Sequence, residues 1–341
     1  MKLGITGLPG SGKSTVFEAL TRNISDTGNK GEDRIGVIKV PDSRVDILSS
    51  MYKPAKTIFA QVEYFLPKKA AEKKKDQGAM TVVRDCDALI HVVRNFGIYG
   101  VEAPNPAEDF RTLDQELVLA DLLVAEKRLE RIELDKKRGR QIDAEELSLL
   151  IRCKESLEQE IPLRKHPELA SAHQLRGYAF ISAKPMLVLF NNEDDNDAMP
   201  DVGDLANQEN CMIIRGKLEQ ELARMSDEEA QDFLSEFGIT ASATDRVVKA
   251  SYELMGLMSF FTVGEDEVRA WTIRKGTPAL NAAGVIHTDI QKGFIRAEVI
   301  SYKDLTEAGS AQEAKKRGTF RLEGKTYEVQ DGDIINFRFN V

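Results

Sequence analysis

Cysteine is scarce. The 341 residues contain three, Cys86, Cys153 and Cys211, at no spacing that suits a disulfide framework or a redox pair, so a disulfide-stapled domain is excluded and a reducing compartment is expected. Histidine is scarce too. His91, His166, His173 and His287 include no pair at metal-ligand spacing, which argues against a histidine-built metal centre. No apolar run approaches the roughly 20 residues of a membrane span. The start, "MKLGITGLPG", reaches a glycine loop too soon to hold a signal h-region, so the expectation is a cytoplasmic chain without membrane contact. An excess of positive charge is also missing. The net charge of −9 argues against a broad nucleic-acid surface and leaves room only for a local basic face.

What is present reads as alternating strand and helix. "KLGIT" is a short apolar strand, and "STVFEALTRN" a helix with Val16, Phe17, Ala19 and Leu20 turned inward. "ALIHVVRNF" and "PMLVLFN" are continuous apolar runs of the kind that fill the centre of a parallel sheet. The expected fold class is therefore α/β, a doubly wound sheet. From Leu113 to about Ile161 the pattern becomes helical. Val118, Leu122, Ala125, Leu129 and Ile132 form one stripe and Leu147, Leu150, Leu157 and Ile161 another, broken at "KKRGRQID" around Gly139. Two helices of similar length in an antiparallel hairpin are expected there, with packing or partner binding as its role. After Phe260, short alternating segments that include "VRAWTIRKG", "GVIHTD" and "GFIRAEVIS" point to a small β-rich domain. From Val263 onward it carries 12 basic and 12 acidic side chains, so a simple phosphate-neutralising surface is not indicated there. Trp271 is expected in its core. The run "PKKAAEKKKDQG" at 67–78 reads as a solvated loop.

One motif carries chemistry. Gly7, Gly12, Lys13 and Ser14 fit G-x-x-x-x-G-K-[ST] immediately after a strand and at the start of a helix. Glycines let successive backbone N–H groups turn toward a phosphate, and the helix N-terminus adds partial positive charge. Lys13 is placed to reach the outer phosphates and the Ser14 hydroxyl to ligate Mg²⁺. Gly10, Ser11 and Thr15 complete the backbone cradle. The motif alone does not choose between a switch GTPase, an ATPase and a small-molecule kinase.

The longer text narrows the choice. "GLPGSGKSTVFEALT", "GVIKVPDSRVDILSSMYKPAKT", "DCDALIHVVRNF", "LDQELVLADLLVAEKRLER" and the segment from "ASYELMGLMSFFTVGEDEVRAWTIRKGTPALNAAGVIHTD" to "YEVQDGDIINFRFNV" resemble the YchF or Obg-like ATPase family over nearly the whole chain. The resemblance implies a P-loop nucleotide-binding domain at 1–112 and 163–262, an inserted coiled-coil arm at 113–162 and a TGS domain of β-grasp type at 263–341. It also implies a monomer, Mg with ATP or GTP, and work at the ribosome or on RNA. The base-reading segment falls on "NNED", with Asn191 at the family's Asn and Asp194 where its Glu is expected.

Two departures bear on activity. Gly10 and Ser11 replace the family's Asn-Val, a minor change. At the metal-holding Asp and γ-phosphate-sensing Gly of the second switch stand Leu66 and Lys69, and the switch-one threonine has only Lys30 or Thr27 near its place. The expectation is a nucleotide-binding, translation-associated factor with weak or absent hydrolysis and no assigned catalytic residue. Two alternatives stay open: an active Mg-dependent ATPase or GTPase with Asp42 or Glu63 as substitute metal ligand, and a P-loop small-molecule kinase.

Overall fold

Lys2–Thr6 forms strand β1 because Leu3, Gly4, Ile5 and Thr6 are buried between two neighbouring strands. Lys13–Thr21 follows as helix α1, with Val16, Phe17, Ala19, Leu20 and Thr21 inward. Full burial of Phe17 and Leu20 contributes about 1.5–3 kcal/mol each. The computed structural model describes residues 1–22, 33–68, 82–236 and 242–340. The chain divides into two compact units, 1–37 with 63–247, and 38–62 with 248–341.

The first unit is built on a six-stranded sheet. To β1 are added β2 (Arg34–Lys39), β4 (Gln61–Leu66), β5 (Ala88–Asn95), β6 (Met186–Asn192) and β7 (Asn210–Ile214), in the order β2-β4-β1-β5-β6-β7. From β4 to β7 every neighbouring pair is parallel, which brings the ends of β1, β5 and β6 to one edge. This is the doubly wound P-loop NTPase sheet. β5 and β6 are buried on both faces over most of their length, as continuous apolar runs must be.

Between β5 and β6 rises the helical hairpin. Its first helix, α3 (Pro106–Lys137), is longer than the sequence periodicity implied. Asn105 caps it by accepting from the Glu108 N–H, and Pro106 opens it where no N–H partner is needed. The second, α4 (Ala144–Glu158), is less than half that length, so the two helices are not of similar length. Val118, Ala125 and Ile132 pack against Leu150, Cys153 and Leu157. Gln115 with Glu160, Glu126 with Lys154 and Arg128 with Glu146 fix the antiparallel course. At the root, fully buried Asp121 accepts from Arg84 at 2.9 Å and from the Ser182 N–H at 2.6 Å. Arg164 is held between Asp114 and Glu209.

The second unit carries the β-grasp sheet. Its strands are β3 (Lys56–Ile58), β8 (Leu257–Val263), β9 (Glu267–Arg274), β10 (Phe294–Ser301), β11 (Arg321–Glu323) and β12 (Asp333–Phe339), in the order β11-β10-β12-β8-β9-β3. The excursion 38–62 therefore contributes an edge strand here, closed at its neck by Val40 N–H donating to Ala60 O at 2.8 Å. Helix α2 (Ser43–Tyr52) is tied down by Arg44, which bridges Asp42 and Asp331. "GVIHTD" is not an alternating strand. It spans two short helices, Ala279–Ile286 and Thr288–Lys292, because Ala279, Ala282 and Ala283 recur at helical spacing and bury under the sheet. Trp271 is part of this core, stacked on Phe260 and donating to Thr262 Oγ1 at 2.9 Å.

Candidate phosphate-binding site

The glycines of the loop between β1 and α1 are there for two physical reasons. Gly7, Gly10 and Gly12 have φ of +150°, +82° and +89°, values that side chains rarely tolerate. The loop is also closely surrounded. A Cβ on Gly7 would lie 2.4 Å from the Val92 carbonyl oxygen, and one on Gly12 would lie 2.2 Å from Asn191 Nδ2. Gly12 stands at the N-cap of α1, where no side chain caps the helix and no acidic residue occupies the first turn. Such a helix start presents backbone N–H groups and partial positive charge to an anion.

Lys13 is folded onto its own loop. Its Nζ donates to Gly7 O at 2.5 Å and to Leu8 O at 2.8 Å. Ser14 is exposed and Thr15 half-buried, while Ser11 is buried with an Oγ that meets no hydrogen-bond partner among the described residues. Gly10 is exposed at the outer turn.

The base-reading pair expected from the sequence separates into two different roles. Asn191 is buried at the end of β6, and both ends of its amide are engaged: Nδ2 donates to Ser11 O at 3.1 Å, and Oδ1 accepts from Gly216 N–H at 2.9 Å. It braces the phosphate loop against the start of the short helix Gly216–Leu222. Asp194 is largely exposed. Its Oδ1 accepts from the Leu218 N–H at 3.1 Å, and Oδ2 lies 3.9 Å from Lys217 Nζ.

Several contributors had no motif to mark them. Glu193 Oε1 accepts from Gly97 N–H at 2.6 Å and so draws the loop after β5 toward β6. That loop lines the phosphate loop: Phe96 and Ile98 would lie 3.7 Å and 3.9 Å from a Cβ at Gly12 and Gly10. Asn192 is not available to a base. It is buried, accepts from Asn95 and donates to Asn196 O and Ala198 O. Gly216 is the close-approach partner of Asn191, since a Cβ there would meet Oδ1 at 2.6 Å.

Neither proposed substitute metal ligand is suitably placed. Glu63 is in register with Lys2, at the beginning of β1, whereas the loop leaves the other end of that strand. Four residues of strand at about 3.3 Å each separate the two levels. Asp42 is consumed in the second unit, where it accepts from the Arg44 backbone and its oxygens take the Arg44 guanidinium. Leu66, which the resemblance sets at the carboxylate position of the second switch, is a buried aliphatic at the end of β4. Thr27, Lys30, Lys69 and most of the lysine-rich run lie outside the described residues. Among the described residues no cluster of His, Cys, Asp and Glu could hold a metal, and no helix is long and apolar enough to cross a membrane.

His91, within the apolar strand β5, is fully buried, and neither ring nitrogen has a hydrogen-bond partner among the described residues. It stacks on Phe110 with ring centroids 5.3 Å apart. Burial, reinforced by the charges of Arg164 and Lys13, pushes its pKa down to about 3. The ring is therefore neutral.

A doubly wound sheet that is parallel from β4 to β7, a glycine loop opening its first helix and a helical hairpin inserted between β5 and β6 define a P-loop protein of the NTPase fold. Residues 257–340 match the YchF-GTPase_C family model, described as a protein of unknown function, and residues 1–46 match that of the methylmalonyl Co-A mutase-associated GTPase MeaB. The chain is 38% identical to the ribosome-binding ATPase YchF of Bacillus subtilis over 99% of both chains, and 38% identical to that of Haemophilus ducreyi over 100% of this chain and 99% of the other. The solved structure of the Schizosaccharomyces pombe YchF GTPase superposes with a TM-score of 0.82 at 27% identity, covering 99% of this chain and 97% of that one. The chain belongs to the YchF family.

Proposed function

We propose that this chain is a purine-nucleotide-binding factor of the YchF type that associates with the ribosome and hydrolyses its nucleotide weakly or not at all. The observation that carries the first part is the glycine loop, whose close approaches at Gly7 and Gly12 leave a cradle that only backbone can line. Gly7, Gly10, Ser11, Gly12 and Thr15 supply the cradle. Lys13 would exchange its two carbonyl contacts for phosphate oxygens, a charge-assisted and hence stronger pairing. Asp194 Oδ2 has no contact among the described residues shorter than the 3.9 Å to Lys217 Nζ and is offered to the base, with Asn191 holding the wall beside it.

The donor set fits a metal only in part. Ser14 presents an exposed hydroxyl beside the cradle, and Mg²⁺ bound with the phosphates would neutralise charge there. The chain's second contribution is an aliphatic, Leu66, so the metal would be held by Ser14, phosphate and water. This is the reason for expecting slow hydrolysis. The ribosome part rests on relatives named ribosome-binding ATPases that align along the whole chain. Calorimetric titration with ATP, GTP and their diphosphates, followed by steady-state phosphate release, tests the reading. Absence of nucleotide binding in Mg²⁺ would sink it, and turnover typical of an active ATPase would refute its second half.

A further inference from the structure

Tyr99 is the most exposed large hydrophobic side chain among the described residues, with a relative exposure of 106%. Its ring adds nothing to a core. A lone exposed apolar residue is ordinary, but Ile98 and Val101 on either side are exposed as well, so a short apolar patch stands in the loop after β5.

The turn that carries the patch is a defined one. Val101 N–H donates to Ile98 O at 3.0 Å, and Gly100, the third residue of that turn, has the φ of +77° that a type II turn requires there. Tyr99 is thereby held at the apex. Both flanks are anchored, since Gly97 N–H donates to Glu193 Oε1 at 2.6 Å and Arg94 Nη2 donates to Glu102 O at 3.1 Å.

The same contacts fix where the turn stands. Ile98 Cδ1 would lie 3.9 Å from a Cβ at Gly10, on the outer turn of the phosphate loop, and Glu193, which anchors Gly97, immediately precedes Asp194. Residues 98–101 are thus beside the place for phosphate at one side and the place for a base edge at the other. A nucleotide that spans the two presents its sugar and base to the turn.

Resting on the nucleotide reading above, we propose that Tyr99 binds the nucleoside half of the ligand, its ring packing on the purine face. Phosphate contacts alone would hold any polyphosphate equally. An aromatic ring adds an apolar contact that every purine satisfies, because each base has a π-face. Tyr99 therefore selects a nucleotide over a bare polyphosphate, and leaves the choice between ATP and GTP to other groups.

The test uses the full chain carrying Tyr99→Ser, Tyr99→Phe or Tyr99→Trp. Circular dichroism and Tm establish that each folds, as substitution of so exposed a side chain should allow. ATP, GTP and inorganic tripolyphosphate are then titrated calorimetrically in Mg²⁺. Tyr99→Ser should weaken ATP and GTP alike by about tenfold and change tripolyphosphate by less than about twofold, while Tyr99→Phe binds as wild type does. In Tyr99→Trp, emission above that of the single native Trp271 should change on addition of ATP and not of tripolyphosphate. Unchanged ATP and GTP affinity in Tyr99→Ser overturns the proposal and leaves the nucleotide reading standing. Equal weakening of ATP and tripolyphosphate also overturns it, in favour of an effect on the phosphate loop, and a Tyr99→Phe protein as weak as Tyr99→Ser overturns ring packing in favour of the hydroxyl. A wild-type chain that binds none of the three sinks the nucleotide reading itself, and the proposal with it.

Discussion

Gly12 and Asn191 are 179 positions apart in sequence, yet the amide of Asn191 fills the space where a Gly12 side chain would begin, 2.2 Å from an ideal Cβ. The phosphate loop is thus shaped by β6 as well as by its own glycines. Asn191 also accepts from Gly216 N–H, so one side chain fixes three backbone segments.

Removing that brace should cost both stability and nucleotide affinity. Asn191→Ala leaves the Ser11 carbonyl and the Gly216 N–H without their partner, a loss of about 1–3 kcal/mol for buried polar groups. Gly12→Ala should be worse for binding, because its Cβ would have to displace the amide at a φ of +89°. Chemical denaturation and calorimetric titration check the pair. A Gly12→Ala protein that binds nucleotide as wild type does would show that the loop adapts to its ligand.

Lys13→Ala should abolish triphosphate binding and leave the fold intact. The Lys13 ammonium rests on the carbonyls of Gly7 and Leu8 in a part-buried loop, so removing the side chain opens no core cavity. Titration at low salt decides: unchanged affinity would mark the loop as vestigial.

Triphosphate and diphosphate should bind with affinities closer than about a hundredfold, roughly 2.7 kcal/mol. A state is favoured by a ligand only through contacts that differ between the two ligands. Leu66, which the family resemblance sets in the place of a metal-holding carboxylate, is a buried aliphatic and would provide none. A larger preference for the triphosphate, measured by calorimetry in Mg²⁺, would contradict this.

The buried neutral ring of His91 should make the protein acid-sensitive. Its folded pKa of about 3 lies below the unfolded value near 6.5, so the unfolded chain binds the extra proton first. Stability from this residue is complete above about pH 6.5 and falls with pH toward the folded value, by up to about 1.4 kcal/mol per unit. His91→Leu should flatten that slope by about one proton between roughly pH 4 and 6, and should raise stability at pH 7 by removing a buried ring that has no hydrogen-bond partner among the described residues. Denaturant unfolding at several pH values reads both effects. An unchanged slope would mean that His91 is protonated in the folded state.

Much of the architecture was legible in the sequence. The glycine loop, α1 with its inward Val16, Phe17 and Leu20, the buried strands β5 and β6 and the hairpin stripe as far as Leu157 all follow from local periodicity and turn chemistry, which act over a few residues, whereas Ile161, read as the end of that stripe, lies past the last residue of α4. Length was harder: α3 begins at Pro106 because Asn105 caps it, a signal outside the periodic stripe. What tertiary structure alone decided are relationships across the chain. Parallel register put Glu63 level with Lys2 and away from the loop, Arg44 claimed Asp42, and the excursion 38–62 supplied an edge strand to the β-grasp sheet. Asn191 became a brace, and His91 a core ring without a hydrogen-bond partner among the described residues, for the same reason. Which partner a side chain meets is set by strand register and packing, and these depend on contacts between residues far apart in sequence that no local pattern encodes.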